Sequence, residues 1–149
     1  MRRYASWWLR RELSWRARPT LPPMDAALRQ QAEFAIDFLH RSALEISATM
    51  RKHQLKLADR QCRMVELSRR IQLAVVILCT CLYAGRQSDE RIRRAGEIHA
   101  AQLSDTLQGR RPSDAFLRRI TALGADLVDQ GLPGSGEILT PPILMPYQT

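Results

Sequence analysis

The sequence predicts an all-α protein: an up-down four-helix bundle with a basic aromatic N-terminal segment and an irregular Pro-rich C-terminal tail. Three observations carry this. Apolar residues recur at alternating steps of three and four, the spacing of one helix face. No stretch shows the period-two alternation of a half-buried strand. Apart from Gly96 and Gly124, every proline and glycine falls at 19–23, at 85, at 109–112 or beyond 130, which leaves long uninterrupted segments between them.

The first of these segments follows "PTLPPM" at 19–24, whose prolines break any helix and mark a linker. Asp25 can cap a long helix. Its stripe runs Leu28, Ala32, Ala35, Leu39, Ala43, Ile46, Met50, His53, Leu57. A second helix is expected from about Asp59 to Ala84, with Met64, Leu67 and Ile71 turned inward. Its second half, "LAVVILCTCLYA" at 73–84, is apolar on every face. Twelve helical residues span about 18 Å, well short of the roughly 30 Å of a bilayer core. That predicts a helix buried in a bundle or an interface, with Leu73, Val76, Leu78 and Leu82 beside Leu39 and Ile46 in the core or contact surface. Gly85 suits the left-handed residue that ends it.

Ser88 and Asp89 are expected to open a third helix, with Ile92, Ala95, His99 or Ala101, Leu103 and Leu107 inside and Gly109 at its end. Ser113 caps a fourth, with Phe116, Leu117, Ile120, Leu123, Leu127 and Val128, stopped by Gly131. Small residues at 95, 96, 100, 101, 122, 124 and 125 would permit close helix approach. The tail, 132–149, is irregular, yet "ILTPPILMPY" at 138–147 is apolar enough to pack across a surface. The expected organisation is thus a basic Trp-rich segment at 1–18, a Pro linker at 19–24, a bundle at 25–131 and the tail.

The net charge of +8 is unevenly placed. Residues 1–18 hold six Arg and one Glu, leaving 17 bases and 14 acids for the rest. Arg outnumbers Lys 21 to 2 but is spread along the whole chain, which reads as coding bias and not as a phosphate-binding design. Three cysteines with no C-x-x-C pair argue against a zinc site and for a reducing compartment. Cys79 and Cys81, within the apolar run, are expected to be small buried side chains.

No catalytic constellation emerges. There is no G-x-x-x-x-G-K or G-x-G-x-x-G loop, and "GSG" at 134–136 lacks the frame of a nucleophile elbow. Asp37-Phe-Leu-His40 occurs once, whereas a di-metal bundle needs paired motifs and two further carboxylates. His53 and His99 near apolar faces read as structural. "RRPS" at 110–113 reads as a turn and helix cap before it reads as a kinase target. The expected catalytic, cofactor and metal residues in this chain are none.

The segment "RRYASWWLRRELSWRARP" at 2–19 is the distinctive feature. On a helical wheel Tyr4, Trp8 and Trp15 fall within about 40° of one another, Trp7 lies to one side and Arg11 between. Together with Arg10 these residues suit a membrane interface, where indole sits at headgroup depth and guanidinium meets phosphate. Competing readings are docking of the aromatics on protein, a transit peptide and nucleic-acid binding. The last is disfavoured because the helical body offers no basic face to extend such a site.

From Asp25 onward the chain resembles the C-terminal helical domain of very-long-chain acyl-CoA dehydrogenases. The residues carrying the resemblance are "LRQQAEFAIDFLHRSALEISATMRKHQLKLADRQ" at 28–61 and "LSRRIQLAVVILCTCLYA" at 67–84, with the basic Arg51-Lys52-His53 and Gln61 as landmarks. It extends through "RIRRAGEIHAAQL" at 91–103 to about Gly131, some 107 of 149 residues. One departure is Glu66-Leu67-Ser68-Arg69-Arg70, where relatives carry an Arg-Leu-Ala-Asp stretch. In that family FAD, the acyl chain and the catalytic glutamate belong to a preceding region that has no counterpart here, so no catalytic or flavin-contacting residue carries over. The resemblance implies a non-catalytic accessory domain of fatty-acid β-oxidation that packs on an acyl-CoA dehydrogenase catalytic domain or on a second copy of itself. It further implies peripheral attachment to a membrane surface, on the cytoplasmic face of a bacterial inner membrane or on the mitochondrial matrix side. The alternative is an independent helical-bundle adaptor or regulator unrelated to acyl-CoA oxidation.

Overall fold

The computed structural model describes Ser6, Leu9 and residues 19–53 and 61–131. Within them lie four helices and no strand: α1 Ala26–His53, α2 Gln61–Ala84, α3 Glu90–Gln108 and α4 Asp114–Gln130. They form a helical bundle. The expectations for Tyr4, Trp7, Trp8, Arg10, Arg11, Trp15, Leu57, the start of the second helix near Asp59 and the tail lie outside the described residues.

The helix ends follow local chemistry. The Asp89 carboxylate accepts from the Arg91 amide at 2.8 Å and caps α3. Gly109 closes that helix at φ 65°, in the left-handed region. Ser113 caps α4 by accepting from the Phe116 amide. Gly85 departs from expectation. It is not among the glycines with positive φ, and its amide continues the helical pattern by donating to the Cys81 carbonyl. What position 85 needs is space, because a side chain there would meet the Met24 Cβ at 3.0 Å.

Two clusters hold the helices. Leu28, Ala32 and Ala35 of α1, Ile77, Cys81 and Ala84 of α2, and Ala100 of α3 form the first. The second is Ile98 of α3 with Phe116 and Leu123 of α4, flanked by Ala95, Ala101 and Leu127. Helices α1, α2 and α3 pack on one another in all pairs, whereas among the described helices α4 packs on α3 alone. Helix α3 therefore uses two faces. Ala100 looks to the first cluster and Ile98, which the periodicity did not single out, looks to the second. His99, between them, is exposed, and Ala101 takes the inner place that was expected of one or the other.

Along α1 and α2, Met24 lies beside Gly85, the Arg70 guanidinium sits over the Phe38 ring at 5.1 Å, and Arg63 faces Glu45 at 4.0 Å. Positions rising on one helix meet positions falling on the other. Between α1 and α3, the buried Ser104 hydroxyl donates to Gln31 Oε1 at 2.6 Å and thereby satisfies a polar group in the core.

The expected stripes hold near the chain's middle and shift elsewhere. On α1, Leu28, Ala32 and Ala35 are buried, but the inner line then passes through Ser42 and Thr49, and Met50 is exposed. Leu39 and Ile46 are half-buried. On α4, Ala122, Gly124 and Ala125 are exposed and permit no close approach, while Gly96 and Ala100 of α3 do.

Candidate interaction surfaces

The apolar run 73–84 was expected to be buried all round, and it is not. Ala74, Ile77, Cys81 and Ala84 line the core, while Val75 and Val76 are each 42% exposed and Tyr83 60%. Leu73, Leu78 and Leu82 are half-buried. The geometry explains it: among the described helices only α1 and α3 pack against α2, and a helix turning 100° per residue then keeps a third of its circumference clear of them. Val65, Val75, Val76, Cys79 and Tyr83 fall on that free side, an apolar face broken by Ser68, Arg69 and Gln72. Of these, Val75, Val76, Cys79 and Tyr83 lie together toward the C-terminal end of α2, and an exposed apolar patch is one mark of a contact surface.

The same rotation separates the cysteines. Residues two apart on a helix point about 200° apart, so Cys81 is buried and Cys79 is exposed, against the expectation that both are inside. Burial pushes the Cys81 thiol up to about 11, which keeps it protonated and inert. Cys62 and Cys79 are the accessible thiols.

Arginine pairing fixes α4 on α3. Arg91 reaches from the start of α3 to the carbonyls of Gln130 and Gly131, at 3.2 and 3.0 Å, while its other nitrogen binds the Asp89 carboxylate at 3.0 Å. Arg94 binds Asp126 at 2.7 Å, and Arg119 binds Glu97. The hydrogen bond from Arg91 holds the Asp89 carboxyl below its ordinary value. These arginines had been read only as charge; their i, i+3 spacing on α3 (91, 94, then Glu97) was the available signal that they share one face. The cleft that Arg91 and Arg94 line with Asp89, Glu90, Asp126 and Gln130 is occupied by its own ion pairs. A second groove, between the ends of α3 and α4, is lined by Asp105, Thr106, Arg110, Pro112, Phe116, Leu117 and Ile120.

Among the described residues no three His, Cys, Asp or Glu side chains come together as metal ligands. No helix among them is long and apolar enough to cross a membrane. The residues expected to meet a membrane surface lie outside the described set, and the α2 residues of the predicted contact surface do not share one face: Val76 is on the free side, while Leu78 packs against the first cluster. No protein-family model, curated protein sequence or solved structure matches the chain.

Proposed function

We propose that this chain is a non-catalytic helical interaction domain that makes a protein contact through the outer face of α2 and attaches to an anionic membrane surface through residues 2–18. The observation that carries it is the apolar face of Val75, Val76, Cys79 and Tyr83, left uncovered by α1 and α3. The sequence resemblance supplies the partner class: the catalytic domain of a flavin-dependent acyl-CoA dehydrogenase, or a second copy of this chain. On this reading FAD belongs to the partner, the helices follow an up-down order, and the complex sits on the cytoplasmic or matrix side of its membrane. The cross-helix neighbours Met24 and Gly85, and Phe38 and Arg70, support the up-down order for the first two helices.

The test is co-expression with a candidate acyl-CoA dehydrogenase catalytic domain, alongside light scattering of the chain alone. Association that is lost in a Val76→Asp, Tyr83→Asp variant of unchanged helicity supports the reading. A chain that stays monomeric and leaves the catalytic domain unbound rejects it and favours the independent adaptor.

A further inference from the structure

Helix α1 is buried on a second side at Ser47, beyond the reach of the other described helices. Ser47 is only 7% exposed, as is Ile36. Ser47 lies roughly 140–160° around the helix from Ser42 and Thr49, the buried residues facing α2. Helix α3 cannot reach it. Ser104 meets Gln31, and only four residues of α3 remain, about 6 Å, against sixteen positions on α1 from Gln31 to Ser47, about 24 Å. Among the described helices α4 touches α3 alone. Glu33, Asp37, His40 and Leu44, on the same side as Ser47, are half-buried, and Asp37 and Ser47 both have interaction partners.

The chain itself leads to this side. Pro19, Thr20 and Leu21 line a groove with Arg29, Glu33 and Ile36, so the polypeptide N-terminal to Pro19 starts level with Ile36. A helix running on from there gains 1.5 Å per residue and passes Ser47 at about residue 8. Ser6 and Leu9 are helical and exposed, Leu9 at 57%. On that wheel Tyr4, Trp8 and Trp15 fall on the far side from them, the side that would face α1. Charge does not choose the occupant, because this side of α1 carries Arg29 and Arg51 as well as Glu33 and Asp37; the chain path does.

We propose that residues 2–18 dock along this side of α1, past Ile36 and Ser47, with Tyr4, Trp8 and Trp15 inward. The docking stands on α1 alone. Its consequence rests on the membrane reading above: one aromatic face cannot lie on α1 and in lipid headgroups at once, so membrane attachment requires the segment to leave α1.

The experiment uses the full chain with Cys62→Ser and Cys79→Ser, leaving the inert Cys81. Trp8→Cys is combined with Ser47→Cys or, as a control at similar height on the opposite side, with Glu45→Cys, and a short bis-maleimide is added without lipid. The expected result is an intramolecular cross-link for 8 with 47 and none for 8 with 45. Equal yields, or no cross-link in either, overturn the docking. All three tryptophans lie in this segment, so fluorescence of the unsubstituted chain reports on it alone. Acrylamide quenching well below that in urea is expected, and equal quenching overturns the proposal. Anionic vesicles should then reduce the cross-link; full yield on vesicle-bound chain overturns the exclusion of one state by the other. A chain that cross-links but never sediments with vesicles supports the docking and rejects the membrane reading.

Discussion

Gly96 of α3 lies directly against Ala84 of α2, so that a methyl group at 96 would overlap the Ala84 Cβ. At this contact the two helix backbones come close enough to exclude any side chain from one of them. Gly96→Ala gains about 1 kcal/mol of helix propensity but forces an overpacked contact costing about 1–3 kcal/mol. The expected result is a net loss of stability in denaturant titration. Gly124→Ala is the internal contrast, since nothing lies within 4 Å of a Cβ there. It should raise stability by about 0.5–1 kcal/mol. If both substitutions stabilise, α2 and α3 do not meet at Gly96.

Burial along α2 should grade the cost of truncation. Ile77 is fully enclosed, so Ile77→Ala should cost about 2–5 kcal/mol. Leu78, half-buried beside the first cluster, should cost less. Val76→Ala should change the stability of the isolated chain by less than about 0.5 kcal/mol, the usual limit for surface positions. A large loss at Val76 would mean that its outer face is already occupied.

Thiol titration should separate the cysteines. At neutral pH two thiols per native chain, Cys62 and Cys79, should react with a maleimide, and the third only after unfolding. Burial and its raised pKa both protect Cys81. Labelling of all three at one rate would contradict the core placement of Cys81.

Acid should act on the junction of α3 and α4 through Asp89. Its native pKa is lowered, first by the hydrogen bond from Arg91. A lowered native value means that the carboxylate contributes stability above the unfolded value of about 3.9, and that this contribution fades as pH falls through the native value. Asp89→Asn keeps a good capping side chain but loses the charge. The wild type should therefore melt higher than the variant at neutral pH, with the difference closing below about pH 4. A difference that is constant with pH would assign the effect to the cap alone.

Deleting residues 1–18 should abolish co-sedimentation with anionic vesicles, because the six arginines contribute roughly 1 kcal/mol each near an anionic leaflet. Replacing Trp7, Trp8 and Trp15 with Ala should weaken binding even at high salt, since the indoles do not depend on charge. Binding that follows salt alone and ignores the tryptophans would make the segment a general polyanion binder.

The sequence by itself determined the helices, because their signals are local. The Asp89 and Ser113 caps, the left-handed Gly109 and the three-four spacing each act within a turn or two of the chain. It also delivered the inner residues Leu28, Ala32, Ala35, Leu67, Phe116 and Leu123. What it could not carry is how many neighbours each helix has. Composition alone makes 73–84 read as buried on every side, but only the placement of α1 and α3 leaves Val75, Val76, Cys79 and Tyr83 outside. The pattern on α3 blends two faces into one broad stripe, and it took α4, packed on the opposite side from α1, to show why Ile98 and Ala100 are both inside. Gly85 makes the same point at one residue. The sequence reads a glycine after a helix as a backbone conformation, whereas the tertiary structure makes it a space that Met24 requires.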